Sequence, residues 1–194
     1  QKTSERESIS VCLEPQQVSY TTTDADDYYE INMTEGGAVR IAKASCLLSY
    51  YDAGGELLLE ESAGLVNSST GSSVTFLGMN DIAFYGGGYN GNYVNQNGKT
   101  MEMNNRQTGG WEQGWSAPHN ICIPYFVSTS GYGVLFDDHY QHARICPSST
   151  GSTYQSNTQD PIAYYFVGGG DMESAMQNYV LLTGRQEMPP YWAL

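Results

Sequence analysis

The residues best equipped for chemistry lie in one polar stretch, Asn104 to Trp115. Within it Asn105 and Gln107 carry amides, Arg106 a guanidinium, Thr108 a hydroxyl, and Trp111 and Trp115 flat apolar rings. A pyranose has an apolar face and a rim of hydroxyls, so rings beside amide and guanidinium hydrogen-bonders suit a sugar. The plainer reading of the same composition is a Gly/Asn-rich surface loop pinned by two half-buried tryptophans. The stretch follows a glycine-rich turn at Phe84–Gly88 and a short strand-like run, Lys99–Met103.

Other constellations compete less well. His119, His139 and His142 fall close together, beside Asp137 and Asp138. Boldly read, they form a metal site or a general acid–base pair acting on a sugar hemiacetal, as in an aldose mutarotase. The segment lacks a secondary-structure frame to aim two ligands at one point, so a polar surface loop is the simpler expectation, and no metal or cofactor is expected. The runs Gly86–Gly88 and Gly168–Gly170 match no phosphate-loop spacing and read as turns. Asp24–Asp27 lacks the periodic oxygen ligands of a calcium loop and reads as a solvated face. Cys12, Cys46, Cys122 and Cys146 are too widely spaced for a zinc site, and buried free thiols are the expectation.

Composition bounds the partners. The chain has 194 residues with 8 Lys+Arg against 21 Asp+Glu, a formal charge of −13. Phosphate would repel such a surface, which argues against nucleic acid and anionic membranes as partners. Sixteen tyrosines and 22 glycines suit a β-rich globule with many turns. There is no apolar run of transmembrane length. A start at Gln1 rather than Met suggests export with a removed signal peptide, periplasmic or secreted, although a trimmed chain would start the same way.

The elements that must position the loop are mostly strands. Residues 1–8 read as a flexible lead-in, and 9–13 as a first strand. Residues 28–33 alternate, and 38–51 read as one strand that becomes apolar on both faces. Asp52–Gly55 is a hairpin signal and 56–60 its return strand. Residues 62–73 read as a Ser/Gly loop, 74–77 as a short strand, and 82–85 as an apolar run into glycines that require a bend or a close backbone approach. Residues 121–128 and 133–136 form a strand pair, with Pro124 demanding an edge or a bulge. Residues 137–156 give no clear signal, and 162–167 is the last strand. Asp171 caps a helix over about 171–183 with an apolar stripe of Met172, Ala175, Met176, Tyr179 and Val180, stopped by Gly184 and Pro189-Pro190. The expected architecture is all-β, an antiparallel β-sandwich over residues 9–184 with one short C-terminal helix, followed by a linker over 185–194.

Five quoted stretches carry a resemblance. They are Phe84-Tyr-Gly-Gly-Gly88, Asn97-Gly-Lys-Thr-Met-Glu-Met-Asn-Asn-Arg106, Ile123-Pro-Tyr-Phe-Val-Ser128 with Gly131-Tyr-Gly-Val-Leu-Phe-Asp137, the run Ile162 to Arg185, and Met188-Pro-Pro-Tyr-Trp-Ala-Leu194. In order and spacing they resemble the N-terminal, galactose mutarotase-like sandwich of glycoside hydrolase family 31, over about residues 25–194. The resemblance implies a non-catalytic domain of an α-glucosidase-type enzyme. Its two catalytic carboxylates, working with retention, would lie on a (β/α)₈ barrel that follows Leu194, so this chain alone would be inactive. It further implies that the domain packs on that barrel and lends a loop to the α-linked oligosaccharide site, with Asn105, Arg106, Gln107, Thr108, Trp111 and Trp115 as the matching residues. Gln107 stands where α-glucosidase members carry an Asp. An amide both donates and accepts whereas a carboxylate only accepts, so an α-galactosidase or α-xylosidase parent is the alternative. A free-standing carbohydrate-binding module using Trp111 and Trp115 is the other, and the apolar Tyr191-Trp192 tail argues against it.

Overall fold

The computed structural model describes residues 7–34, 36–79, 83–88, 93–104, 121–137, 143–157 and 162–193. The first half of the chain is an antiparallel meander of β1 (Tyr20–Asp24), β2 (Tyr28–Met33), β3 (Ala38–Ala42), β4 (Leu48–Tyr51), β5 (Leu57–Ser68) and β6 (Gly71–Leu77). The second half supplies β7 (Phe84–Gly88), β8 (Met101–Met103), β9 (Cys122–Ser128), β10 (Tyr132–Asp137), β11 (Ala143–Cys146), β12 (Gly151–Ser156), β13 (Ala163–Gly168) and helix α1 (Met172–Thr183). A nine-stranded sheet has the order β1-β2-β3-β4-β5-β6-β12-β11-β8, and a four-stranded sheet the order β13-β10-β9-β7. The expected all-β sandwich with one short helix is the observed architecture.

The two sheets enclose one core. Leu59, Val74, Phe76, Met101, Met103, Ile145 and Tyr154 from the large sheet meet Phe84, Phe126, Val134 and Phe136 from the small one. Aromatic pairs bridge the layers: Phe136 stacks on Tyr154 at 4.2 Å and Phe166 on Tyr50 at 4.3 Å. One carboxylate enters this interior. Glu61 is 5% exposed, and its Oε1 accepts from the Tyr164 hydroxyl at 2.6 Å while Oε2 accepts from Leu48 N at 3.0 Å. Tyr50 donates in turn to Tyr164 at 3.1 Å. Burial holds the Tyr164 phenol well above its ordinary pKa, so it remains a donor to the carboxylate.

Helix α1 covers the other face of the small sheet and makes a second core of Tyr125, Val127, Leu135, Val167 and Ala175. Its first turn is capped as expected: the Asp171 carboxylate accepts from Ser174 N at 2.7 Å. Tyr125 ties sheet to helix by stacking on Tyr179 at 4.0 Å and donating to Ala175 O at 3.1 Å. That position is open only because residue 133 is glycine, where a Cβ would lie 2.2 Å from the Tyr125 hydroxyl. Ala175, Tyr179 and Leu182 form the docking side of α1. Met172 and Met176, expected on that stripe, are 37% and 40% exposed and sit at its margin.

Several expectations are corrected. Residues 9–13 form no strand, although Cys12 N and Leu13 N both donate to Leu182 O. The single strand expected over 38–51 is the β3–β4 hairpin. Its turn bonds Cys46 N to Ala42 O and holds Cys46 at φ 58° without a glycine to announce it. Cys46 is therefore an exposed turn residue rather than a buried thiol; Cys12 is exposed as well, while Cys122 and Cys146 are half-buried, and all four are free. Residues 62–73 are mostly strand, the β5–β6 hairpin, closed where Ser68 Oγ donates to Gly71 O at 2.9 Å. The unread 137–156 stretch contains β11 and β12. Pro124 sits opposite the bulge between Gly86 and Gly87, on a strand paired on both sides, so the bulge and not the edge explains it. The glycines of β7 lie within a strand, and the bend they allow is the bulge between Gly86 and Gly87. A Cβ on Gly86 would lie 2.3 Å from Tyr125 O, which is the close approach the sequence also allowed.

Two outcomes test this account. A Cβ at Gly169 would lie 2.2 Å from Ala175 N in the helix backbone, whereas at Gly98 it would meet nothing within 4 Å. Gly169→Ala should cost about 1–3 kcal/mol in denaturant unfolding by overpacking. Gly98→Ala, strained only by its φ of +71°, should cost about 1 kcal/mol; equal losses would refute the packing argument. The backbone amide of Ser174 holds the Asp171 carboxyl below its ordinary pKa. A folded pKa below the unfolded one gives stability that is present above the unfolded value and lost as pH falls through the folded one. The melting-temperature gap between the wild type and Asp171→Ala should thus be open near neutral pH and narrow below about pH 4. A gap independent of pH would contradict the capping role.

Candidate functional site

Asn105, Arg106, Gln107, Thr108, Trp111 and Trp115 lie outside the described residues, as do His119, Asp138, His139 and His142. The strands on either side of them are described, and they converge. β8 ends at Met103, with both of its methionines buried and Glu102 between them outward, paired to Arg144 at 3.1 Å. Asn104 follows and is itself buried. On the far side of residues 105–120, β9 begins at Cys122, whose thiol lies 3.8 Å from Glu102 O. That contact closes the base of the stretch. Burial raises the Cys122 pKa, which makes its thiol a packing group rather than a nucleophile.

The described residues that flank 138–142 lie at the same end. β10 ends at Asp137, paired with Ala163, and β11 starts at Ala143, paired with Met103. Gly88, the last residue of β7, pairs with Cys122. The ends of β7, β8 and β10 and the starts of β9, β11 and β13 therefore share one rim of the sandwich. Asn104, Asp137 and Ser156 are its buried polar residues, and each has an interaction partner. Residues 105–120 and 138–142, which carry the two sequence candidates, are thus both flanked by described residues of one rim. No group of three or more His, Cys, Asp or Glu suited to a metal occurs among the described residues. Asp24, in the acidic turn, pairs with Lys43 at 2.5 Å, which agrees with a solvated face.

Sequence reasoning missed one feature of this half of the molecule. Between α1 and the β7 edge runs an open apolar groove of about 480 Å³, lined by Tyr85, Ile123, Val127, Met172, Met176 and Tyr179. Its signal was present in the two methionines placed on the helix stripe. Further along, Tyr191 and Trp192 are 93% and 86% exposed.

Against known proteins the chain aligns along its whole length with alpha-glucosidase 2 of Bacillus thermoamyloliquefaciens, 28% identical and covering 25% of that protein. It is also similar to alpha-xylosidase XylQ of Lactiplantibacillus pentosus, 29% identical over 53% of this chain and 13% of that protein. Among solved structures, a glycoside hydrolase family 31 dextranase of Flavobacterium johnsoniae superposes on 97% of the chain with a TM-score of 0.83 and 29% identity, over 24% of its own length. A cycloalternan-forming enzyme from Listeria monocytogenes shares the fold at a TM-score of 0.77 and 24% identity. The chain thus spans about a quarter of the length of the alpha-glucosidase and the dextranase. The model of the "Glycosyl hydrolase 31 N-terminal galactose mutarotase-like domain" matches residues 1–141, and the chain belongs to that family.

Proposed function

We propose that this chain acts as the N-terminal, non-catalytic domain of a family 31 α-glycosidase of the α-glucosidase type, packing on a catalytic barrel and lending it the loop that carries Gln107. The observation that carries the proposal is the rim. A loop that shapes a substrate site needs both ends fixed by rigid elements, and Met103 and Cys122 belong to strands packed on the core and joined through Cys122 and Glu102. The apolar groove beside α1, with Met172 and Met176 on its lip, supports a packing role for that side of the molecule, since contiguous apolar surface of this kind marks an interaction face. The substrate is an α-linked oligosaccharide, read by the amides and guanidinium of Asn105, Arg106 and Gln107, with Thr108, Trp111 and Trp115 completing the surface. An α-xylosidase parent is the second reading, favoured by the similarity to XylQ and by an amide rather than a carboxylate at residue 107.

The test compares this 194-residue chain with the longer enzyme on aryl α-glucoside, α-galactoside and α-xyloside. The chain alone should hydrolyse none, the longer enzyme should prefer one, and Gln107→Ala in it should lower kcat/KM about tenfold to a hundredfold, the scale of one or two lost hydrogen bonds at the transition state. Hydrolysis by the chain alone would overturn the non-catalytic assignment. An unchanged kcat/KM in Gln107→Ala would remove the loop from the substrate site.

A further inference from the structure

Away from the rim, one surface gathers an ion pair between two phenol rings. The strand registers place Glu30 of β2 opposite Arg40 of β3, and Arg40 opposite Ser49 of β4. One step to either side on the same face, Tyr28 pairs with Ala42 and Tyr51 with Ala38. These small neighbours leave room for both rings to close on Arg40, whose guanidinium carbon lies 4.7 Å from the Tyr28 centroid and 4.3 Å from the Tyr51 centroid. Arg40 Nε donates to Glu30 Oε2 at 2.6 Å. The alternate residues Val39, Leu48 and Tyr50 point to the core, so this strip lies on the outer face of the meander.

We propose that this outer face, centred on Arg40 with Glu30, Tyr28 and Tyr51, is a binding surface for neutral glycan chains, separate from the loop after β8. Four features carry it. The guanidinium commits Nε to Glu30 and a further donor to the Tyr51 hydroxyl, and its other Nη protons are donors beside a carboxylate acceptor. Such a pair matches the alternating donors and acceptors of a vicinal diol. The two half-buried phenols supply apolar surface for sugar C–H groups. The stack between two rings also orders the guanidinium in advance, so little side-chain entropy is lost on binding.

Charge decides between ligand classes. Glu30 neutralises Arg40 locally and the chain as a whole is −13, which disfavours phosphate, sulfate and acidic polysaccharides. With side chains 37% and 17% exposed, the ion pair falls near the surface class that contributes about 1 kcal/mol or less. Asn32, on the Tyr28–Glu30 face of β2, and Thr23 of β1, opposite Glu30, extend the strip with an amide and a hydroxyl.

The test is native gel electrophoresis of the 194-residue chain through gels holding soluble starch, dextran or xyloglucan, against a gel without polysaccharide; its charge of −13 gives ample mobility. At least one polymer should retard the wild type. Arg40→Gln and Tyr51→Ala should each raise the apparent dissociation constant about tenfold in variants that still unfold cooperatively on heating. Arg40→Lys should weaken retardation too, because an ammonium cannot present two parallel donors, and it serves as the readout if Arg40→Gln does not fold. Arg185→Gln, exposed beyond α1 and matched in charge to Arg40→Gln, should be retarded as the wild type is. No retardation of the wild type by any polymer would overturn the proposal, as would wild-type retardation of the Arg40 and Tyr51 variants. Loss of retardation in Gln107→Ala alone would overturn it in favour of the loop, whereas the loop proposal itself fails or stands on kcat/KM.

Discussion

The structure depends on a small sheet that is buried on both faces. Phe126, Val134 and Phe136 face the sandwich interior while Tyr125, Val127 and Leu135 face the helix. Such strands carry apolar residues at every position, so hydrophobic alternation cannot set their register: a one-residue slip would exchange one apolar row for another. Glycines set it instead. Gly133 is the residue over which the Tyr125 ring can lie, and Gly86 passes where a Cβ would strike Tyr125 O. Tyr125 then reaches Ala175 and Tyr179, so the register of the sheet and the seating of the helix are one constraint. The pairing of Gly88 with Cys122, and with it the geometry of the rim, follows from the same register.

How far the sequence revealed this depended on what kind of physical signal each element left. Alternation exposed β2, capping by Asp171 exposed α1, and the Asp52–Gly55 turn exposed the β4–β5 hairpin. The β5–β6 hairpin was invisible because its outer half is built from Ser, Thr and Asn held by ladder hydrogen bonds, and those residues read equally well as loop. The β3–β4 turn was invisible because Cys46 takes positive φ where glycine or asparagine would be expected. At the site, the strands framing residue 107 were legible, yet the convergence of β8, β9, β10 and β11 on one rim rests on pairings between distant segments. The strip around Arg40 escaped for another reason. The polar half of an alternating strand is read as solvent-facing and then ignored, and only the register shows that Glu30, Arg40, Tyr28 and Tyr51 meet.

β8 and the Arg40 strip are held in different ways. β8 is a three-residue strand at the edge of its sheet, paired only with β11. The exposed Glu102–Arg144 pair adds little to it. What holds it is the burial of Met101 and Met103 to 4% and 6% exposure, each a contribution of about 1.5–3 kcal/mol. The strand end at Met103 is thus fixed by the core, as an anchor for a residue placed against a single sugar ring must be. The Arg40 strip lies on the meander towards β1, whose residues are all exposed, and its order comes from a stack of side chains lying on the sheet. Such a surface tolerates small displacements. Holding a polymer near a catalytic site demands no more, because effective concentration depends on tethering distance and not on the exact pose of each sugar.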